Sequence, residues 1–313
     1  MNQKNVALLL CSLALWTCSL SAQPLNRKPI RVFGHARNIA TSTDPLAVDT
    51  AAPNLVEGRE LFAPQGVALD TSANPPVLYV SDTANNRVLG WRNSTGFEVG
   101  APADLVIGQR DRFTTIPQGP GTPFSTGITA PTGLAVDRDG SLFVVDSGNN
   151  RILRYPRPFE QPSDAVNPQN VIGQATMASN VANSPVISER TLAFRLGNAA
   201  PLRAGLTFDA GGNLWVTDPG NNRILRFPAG SLAQNQPAAD LVLGQQGFTG
   251  RTGVAATNRQ EKAGVNQPSG VAVDPSGRVF VTDFNNRALV YEPPFTNGKP
   301  AARIMGIPTQ VQG

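Results

Sequence analysis

The chain has 313 residues, of which 40% are hydrophobic and 15% charged, and its formal net charge is +4. Its 30 glycines and 27 prolines disfavour long helices, because each costs about 1–3 kcal/mol in a helix interior. The absence of a Gly-X-Y period excludes a collagen, and the hydrophobic content argues against a disordered chain. This composition favours many short strands joined by turns.

The first 22 residues are typical of a secretory signal peptide. Lys4 precedes an apolar run from Val6 to Trp16, and small residues follow as far as Ala22. A positive start, a short apolar run and small residues before the cut characterise such signals, and a retained membrane anchor is the alternative interpretation. We therefore expect residues 1–22 to be removed and the product to be secreted, periplasmic or attached to the cell surface.

Both cysteines, Cys11 and Cys18, lie inside that segment. The mature chain is therefore expected to have no disulfide, no thiol nucleophile and no thiolate metal site. No later stretch approaches the length of about 18 apolar residues that a membrane span needs, so we expect no span in residues 23–313.

Four similar segments follow, and each is predicted to form three short strands. In the second segment the expected strands are Gly133–Val136, Leu142–Val145 and Ile152–Tyr155. The first is uniformly apolar, which predicts burial on both faces, and turn-forming residues separate the three. The four segments are Pro64–Trp91, Pro131–Tyr155, Arg203–Phe227 and Pro268–Tyr291.

A fourth short strand is predicted after each triplet, at Asp104–Gln109, Asn170–Gln174, Asp240–Gln245 and Ala302–Ile307, and a further copy, Ile30–His35, precedes the first triplet. The repeats then span about 63–109, 130–174, 202–245 and 267–307, with an extra outer strand at 30–35. Each repeat is a four-stranded antiparallel meander. Meanders repeated radially predict an all-β chain that folds as a β-propeller with four visible blades.

The repeated segment PTGLAVDRDGSLFVVDSGNNRILRY at residues 131–155, with its three counterparts, resembles the NHL repeat. The resemblance covers most of residues 28–313 and implies one propeller domain at 23–313. NHL propellers usually have six blades, whereas this chain shows four. We expect Ile30–His35 or Arg303–Ile307 to complete the last blade, because an unpaired outer strand invites aggregation.

Each repeat also carries Asp followed by Asn-Asn-Arg or a close variant. One ligand site on the ring axis needs one set of groups, whereas every blade has this set, so we interpret it as structural. Asp is expected to accept backbone N–H bonds, Asn to adopt a positive φ angle and Arg to brace the neighbouring strand. The residues are Asp82, Asn86, Arg87, Asp146, Asn150, Arg151, Asp218, Asn222, Arg223, Asp283, Asn286 and Arg287.

The segments between blades do not repeat, and meander geometry places all of them on one face. Loops 36–63, 110–130, 175–203 and 246–267 together contain ten basic and seven acidic residues, a surplus that would attract an anionic partner. Function is expected where repeats differ. The candidate ligand-binding residues are therefore Arg110, Arg112, Arg190, Arg195, Arg251, Arg259 and Lys262.

The sequence thus favours an exported, non-catalytic scaffold that binds a protein, peptide or glycan, with no catalytic residue, metal or cofactor assigned. One alternative is a propeller enzyme of the lactonase or lyase type. The single histidine, His35, is too few for an imidazole-rich zinc site, whereas a calcium site needs only Asp, Glu and Asn. A second alternative is nucleic-acid binding, with aromatic contacts from Trp91, Phe97, Phe113 and Phe248, although export and weak charge disfavour nucleic acid.

Overall fold

The computed structural model describes residues 56–96, 100–118, 125–162 and 166–307. The candidate signal peptide and the candidate strand Ile30–His35 lie outside these residues. In the described part of the chain, no helix has the length and apolar character needed to cross a membrane.

Sixteen strands form four separate sheets, each an antiparallel meander of four strands in chain order. The first sheet contains β1 (Gly66–Asp70), β2 (Val77–Asp82), β3 (Arg87–Trp91) and β4 (Leu105–Ile107). The second contains β5 (Pro131–Val136), β6 (Leu142–Asp146), β7 (Arg151–Tyr155) and β8 (Asn170–Ile172). The third contains β9 (Leu206–Phe208), β10 (Leu214–Asp218), β11 (Arg223–Phe227) and β12 (Leu241–Leu243), and the fourth β13 (Gly270–Val273), β14 (Val279–Asp283), β15 (Arg287–Tyr291) and β16 (Arg303–Met305).

Each sheet is one blade, and the all-β propeller predicted from the repeats is confirmed. The inner strands β1, β5, β9 and β13 surround a central cavity of about 370 Å³. Strand β16 pairs with β15, with Ile304 opposite Leu289. The Arg303–Ile307 segment therefore supplies the outer strand of the fourth blade.

Apolar cores lie between successive blades. Val88 and Leu153 belong to the core between the first and second blades, and Ile172 and Val216 to the next. Trp215 and Val281 belong to the core between the third and fourth blades. Burial contributes roughly 25 cal/mol for each Å² of apolar surface removed from water, so each blade is stabilised by its neighbours.

The inner strands are less buried than their apolar sequence predicts. In β1, Val67 is 66% exposed and Leu69 is 53% exposed. Both lie on the face of the first sheet that carries Leu89, and no residue of the fourth blade belongs to the apolar cluster on that face. The first strand is therefore buried on one side rather than on both, because only its other face packs against a described blade.

Glycines at the start of the inner strands allow adjacent blades to approach closely. A Cβ atom on Gly133 would lie 2.6 Å from the carbonyl oxygen of Ala204, and one on Gly205 would lie 2.8 Å from that of Ser269. Gly66 is closer still to Thr132. By contrast, every described atom near a Cβ on Gly270 belongs to its own blade, the nearest being Thr282 Oγ1 at 2.8 Å. Glycine is therefore required at three positions for contact between blades.

We predict that Gly133→Ala destabilises the protein by about 1–3 kcal/mol, the usual cost of an overpacked contact. Gly270→Ala is the matched control, and its cost should be smaller because a hydroxyl of its own blade can shift. Urea denaturation followed by tryptophan fluorescence gives both free energies of unfolding. Equal losses in the two variants would contradict the proposed role of backbone contact between blades.

Candidate functional site

A buried ion pair occupies the turn between the second and third strands of each blade. We call these four segments, 82–87, 146–151, 218–223 and 283–287, the Asp–Arg turns. In the second blade Arg151 Nε lies 2.8 Å from Asp146 Oδ2, and both side chains are fully buried. Burial raises the pKa of the Asp146 carboxyl, and the neighbouring guanidinium opposes that rise. The corresponding distances in the other blades are 2.7, 2.8 and 3.0 Å.

In the first three Asp–Arg turns the two asparagines have separate roles. Asn149 Nδ2 donates to Asp146 Oδ2 at 2.9 Å. Asn150 adopts φ 53°, the left-handed conformation that asparagine tolerates well. Its side-chain oxygen accepts a hydrogen bond from Phe194 N at 2.8 Å. Since Phe194 lies in the loop that leads to the third blade, the turn of one blade holds the loop entering the next.

The arginine of each turn also donates hydrogen bonds to backbone carbonyl groups of the long loops. Arg151 Nη2 donates to Gly127 O at 2.8 Å, and its Nη1 donates to Met177 O. Gly127 precedes the second blade and Met177 follows it, so one guanidinium ties both loops to the blade. Arg151 also bonds to Asp146 of the neighbouring strand β6 through Nε. Its other N–H groups reach the loops, because it begins the third strand at the end of the blade where both loops pass.

A glutamine at the end of each of the first three blades completes the arrangement. Gln174 Nε2 donates to Asn150 O at 2.9 Å and to Val181 O at 3.0 Å. Gln109 and Gln245 make the equivalent pairs of bonds. The sequence signal for these residues is the Gly-Gln pair that ends the fourth strand of each of these three blades. The fourth blade ends in Ile307 instead.

Because every loop bonds to an Asp–Arg turn, the described parts of the long loops gather at the same end of the blades. We call this surface the loop face and define it by residues 56–65, 108–118, 125–130, 173–203 and 244–268, together with the Asp–Arg turns. Of the first loop, 36–63, only residues from 56 onward belong to the described part of the chain.

Several candidate ligand-binding cations already hold the protein backbone. Arg190 donates to Gln236 O at 2.7 Å, Arg195 to Ala199 O at 3.0 Å and Lys262 to Ala302 O at 3.2 Å. Arg259 donates to Asn285 O at 2.9 Å and to Asn286 O at 2.7 Å. These four side chains support the loops, which leaves fewer cations available to a ligand.

The remaining three cations differ in their surroundings. Arg110 has a 65% exposed side chain that lies 3.3 Å from Asp111. The side chain of Arg112 lies against Gly58. Arg251 is exposed, and its backbone carbonyl oxygen accepts a hydrogen bond from the side chain of Asn222.

Apolar side chains are a more prominent feature of the loop face than charge. Seven of the ten exposed large hydrophobic residues in the described chain lie there. Phe113 is 68% exposed, Phe284 64% and Val181 63%. Trp91, a candidate aromatic contact, is instead buried at 2% exposure. The seven residues are Phe62, Phe113, Ile116, Val181, Val186, Leu196 and Phe284.

The central cavity is lined by glycines, hydroxyl groups and apolar side chains such as Leu134 and Leu206. Thr132, Ser269 and Thr282 contribute hydroxyls, and Arg203 is the single charged residue among its described lining residues. Within the described ranges, no three His, Cys, Asp or Glu side chains are grouped so that they could hold a metal ion.

Four antiparallel blades around a central cavity, each closed by an Asp–Arg turn, define a four-bladed β-propeller. The family profile described as NHL repeat matches residues 129–155 and 265–290, which are the second and fourth repeats. The chain is therefore a four-bladed β-propeller that contains NHL repeats. No curated protein matches the sequence.

Solved structures similar to this chain include a streptogramin B lyase, with 12% identity over 78% of this chain and a TM-score of 0.39. A catalytically inactive virginiamycin B lyase from Staphylococcus aureus, solved with quinupristin, has 12% identity over 85% and a TM-score of 0.39. Hydrazine synthase of Kuenenia stuttgartiensis has 13% identity over 82% and a TM-score of 0.42. The alignments cover 57%, 59% and 51% of those chains, respectively.

We predict that Arg151→Ala lowers the free energy of unfolding by about 3–5 kcal/mol, because it leaves the buried Asp146 carboxylate without its partner. Arg138→Ala, which removes an exposed arginine, is the control and should cost less than about 1 kcal/mol. Urea denaturation measures both. The pair Asp146→Leu with Arg151→Met should lose less than Arg151→Ala alone, and a larger loss would contradict the unpaired-charge explanation.

Proposed function

We propose that this NHL propeller is a non-catalytic binding module that docks a protein, peptide or glycan partner on the loop face. The observation that carries the proposal is the concentration of exposed apolar side chains on that face. Exposed apolar groups gathered on one surface are typical of interaction sites. Single exposed residues scattered over a surface would carry no such meaning.

The anchoring of the loops supports the same proposal. Arg223 Nη2 donates to Thr191 O at 2.7 Å, and Gln245 Nε2 donates to Thr252 O at 2.9 Å. Bonds of this kind fix the ends of the loops before any partner arrives. A preorganised surface loses less conformational entropy on binding than a flexible one.

Charge adds a secondary preference. Arg110 and Arg251 are exposed on the loop face, and long-range attraction to an anionic group would favour an acidic peptide or an acidic glycan. Residues 1–22 resemble a secretory signal peptide, which supports binding of that partner outside the cytosol. We therefore propose an exported protein with a macromolecular partner other than a nucleic acid, and no cofactor.

The test is quantitative capture of partners by immobilised protein from the secreted fraction of the source cells. We predict that the double variant Phe113→Ser and Phe284→Ser captures roughly tenfold less of the specific partner than the unaltered protein does. The reason is that apolar anchor residues dominate the binding energy of interfaces. The double variant Val67→Ser and Leu69→Ser is the matched control. It also removes two exposed apolar side chains, but it removes them from β1.

Two results would count against the proposal. A partner that is retained by the loop-face variant and lost by the β1 variant would place the interface on the first sheet. Metal analysis of the purified protein combined with a panel of lactones and esters addresses the enzyme alternative. A stoichiometric ion together with turnover would overturn the non-catalytic assignment.

A further inference from the structure

A cavity of about 360 Å³ opens at the end of the blades opposite to the loop face, between the first and second blades. Its walls come from the turn between β1 and β2 and from the segment that follows β7. We call it the Tyr79 pocket and define it by Asp70, Val77, Tyr79, Arg92, Arg157 and Phe159. Its volume lies within the usual range of small-molecule sites.

The pocket owes its shape to a departure from the repeat. Six residues separate Asp70 from Val77, whereas four separate Asp137 from Leu142 and the corresponding residues of the later blades. In the third blade the equivalent aspartate, Asp209, accepts the indole N–H of Trp215 at 3.0 Å. In the first blade Asp70 Oδ1 instead accepts bonds from the backbone N and the hydroxyl of Ser72. The aromatic residue of that blade is therefore left without the corresponding polar partner.

That aromatic residue is Tyr79, which is 1% exposed and lines the pocket. Its ring packs against Phe159 with 5.9 Å between centroids, and its hydroxyl makes no hydrogen bond to any described residue. Burial raises the pKa of the Tyr79 hydroxyl, Asp70 raises it further and Arg92 lowers it. Asp70 and Arg92, one negative and one positive, line the same cavity as Tyr79. Because Tyr79 lines an open cavity, water or a ligand can satisfy its hydroxyl there.

Two opposite charges in the pocket are available to a ligand. The guanidinium carbon of Arg92 lies 4.6 Å from the centre of the Phe159 ring, a stacking contact that leaves the N–H donors free. Asp70 uses Oδ1 for Ser72, and Oδ2 makes no hydrogen bond or ion pair to a described residue. Arg157, by contrast, already donates a hydrogen bond to Asp139 O at 2.9 Å and forms an ion pair with Glu160 at 3.3 Å.

We propose that the Tyr79 pocket binds a small zwitterion of amino-acid size with an apolar side chain. Arg92 and the Tyr79 hydroxyl would donate to its carboxylate, and Asp70 Oδ2 would accept from its ammonium group. Phe159 and Val77 would contact the apolar side chain. A simple anion fits less well, because Asp70 would repel it. The site lies at the opposite end of the blades from the loop face and uses none of its residues.

Calorimetric titration of the full chain with L-phenylalanine tests the proposal, with N-acetyl-L-phenylalanine and L-phenylalanine amide as probes that lack one charge each. We predict measurable binding of phenylalanine and at least roughly tenfold weaker binding of both analogues, since each loses a charge-assisted hydrogen bond. Arg92→Gln should weaken phenylalanine binding by a similar factor. Tyr79→Phe should weaken it by less, because the lost bond involves a neutral hydroxyl.

Arg138→Gln is the control, since it removes an exposed arginine outside the pocket, and it should leave the affinity unchanged. Tyr79→Phe keeps the ring against Phe159, so its unfolding curve should match that of the unaltered protein. No binding of phenylalanine at millimolar concentration would overturn the proposal. Equal affinity for phenylalanine and its acetylated form, or unchanged affinity in Arg92→Gln, would also overturn it.

Discussion

The buried pair of Asp146 and Arg151, with its three counterparts, is the interaction on which the rest of the propeller depends. Removing two charges from water costs several kcal/mol per ion, and their mutual attraction offsets this only when their remaining hydrogen-bonding groups are also satisfied. The structure meets that condition with loop backbone: Thr129 N donates to Asp146, and Gly127 O accepts from Arg151. The loops can therefore not leave their positions without exposing an unsatisfied charge, and the pair fixes the geometry of the loop face.

Because of this arrangement, parts of the variable loops belong to the same structural core as the repeated strands. Leu192 and Val265 are fully buried residues of the long loops. Each packs against the glycine that follows a fourth strand, Gly173 and Gly244 respectively, so closely that a Cβ atom added there would lie within 3 Å of it. They belong to the cores between blades. The ends of each loop are therefore structural, whereas exposed residues such as Val181 remain available for contact. Specificity is best sought in the exposed parts of the loops rather than in whole loops.

The four-bladed architecture could be predicted from the sequence because one pattern of strands and turns occurs four times in it. Apolar runs bounded by Asp and Asn located the strands, and the fourth strand of the last blade was found at Arg303–Met305. It was not sufficient for contacts that join distant repeats. The separation between Tyr79 and Phe159 is 80 positions, and nothing local predicts that their rings meet. Exposure of Phe284 was equally hidden, because an apolar residue in a turn is as compatible with an interblade core as with a surface.

The two proposed sites follow from different ways of departing from one repeat. On the loop face, each connection between blades differs in length and sequence, which suits a broad surface for a large partner. At the opposite end, the turn between β1 and β2 is two residues longer than its counterparts, and it lines a small cavity with Tyr79. Strands of five or six residues, about 17–20 Å long, separate the two ends. The two proposed sites therefore share no residue, and substitutions can alter each one separately.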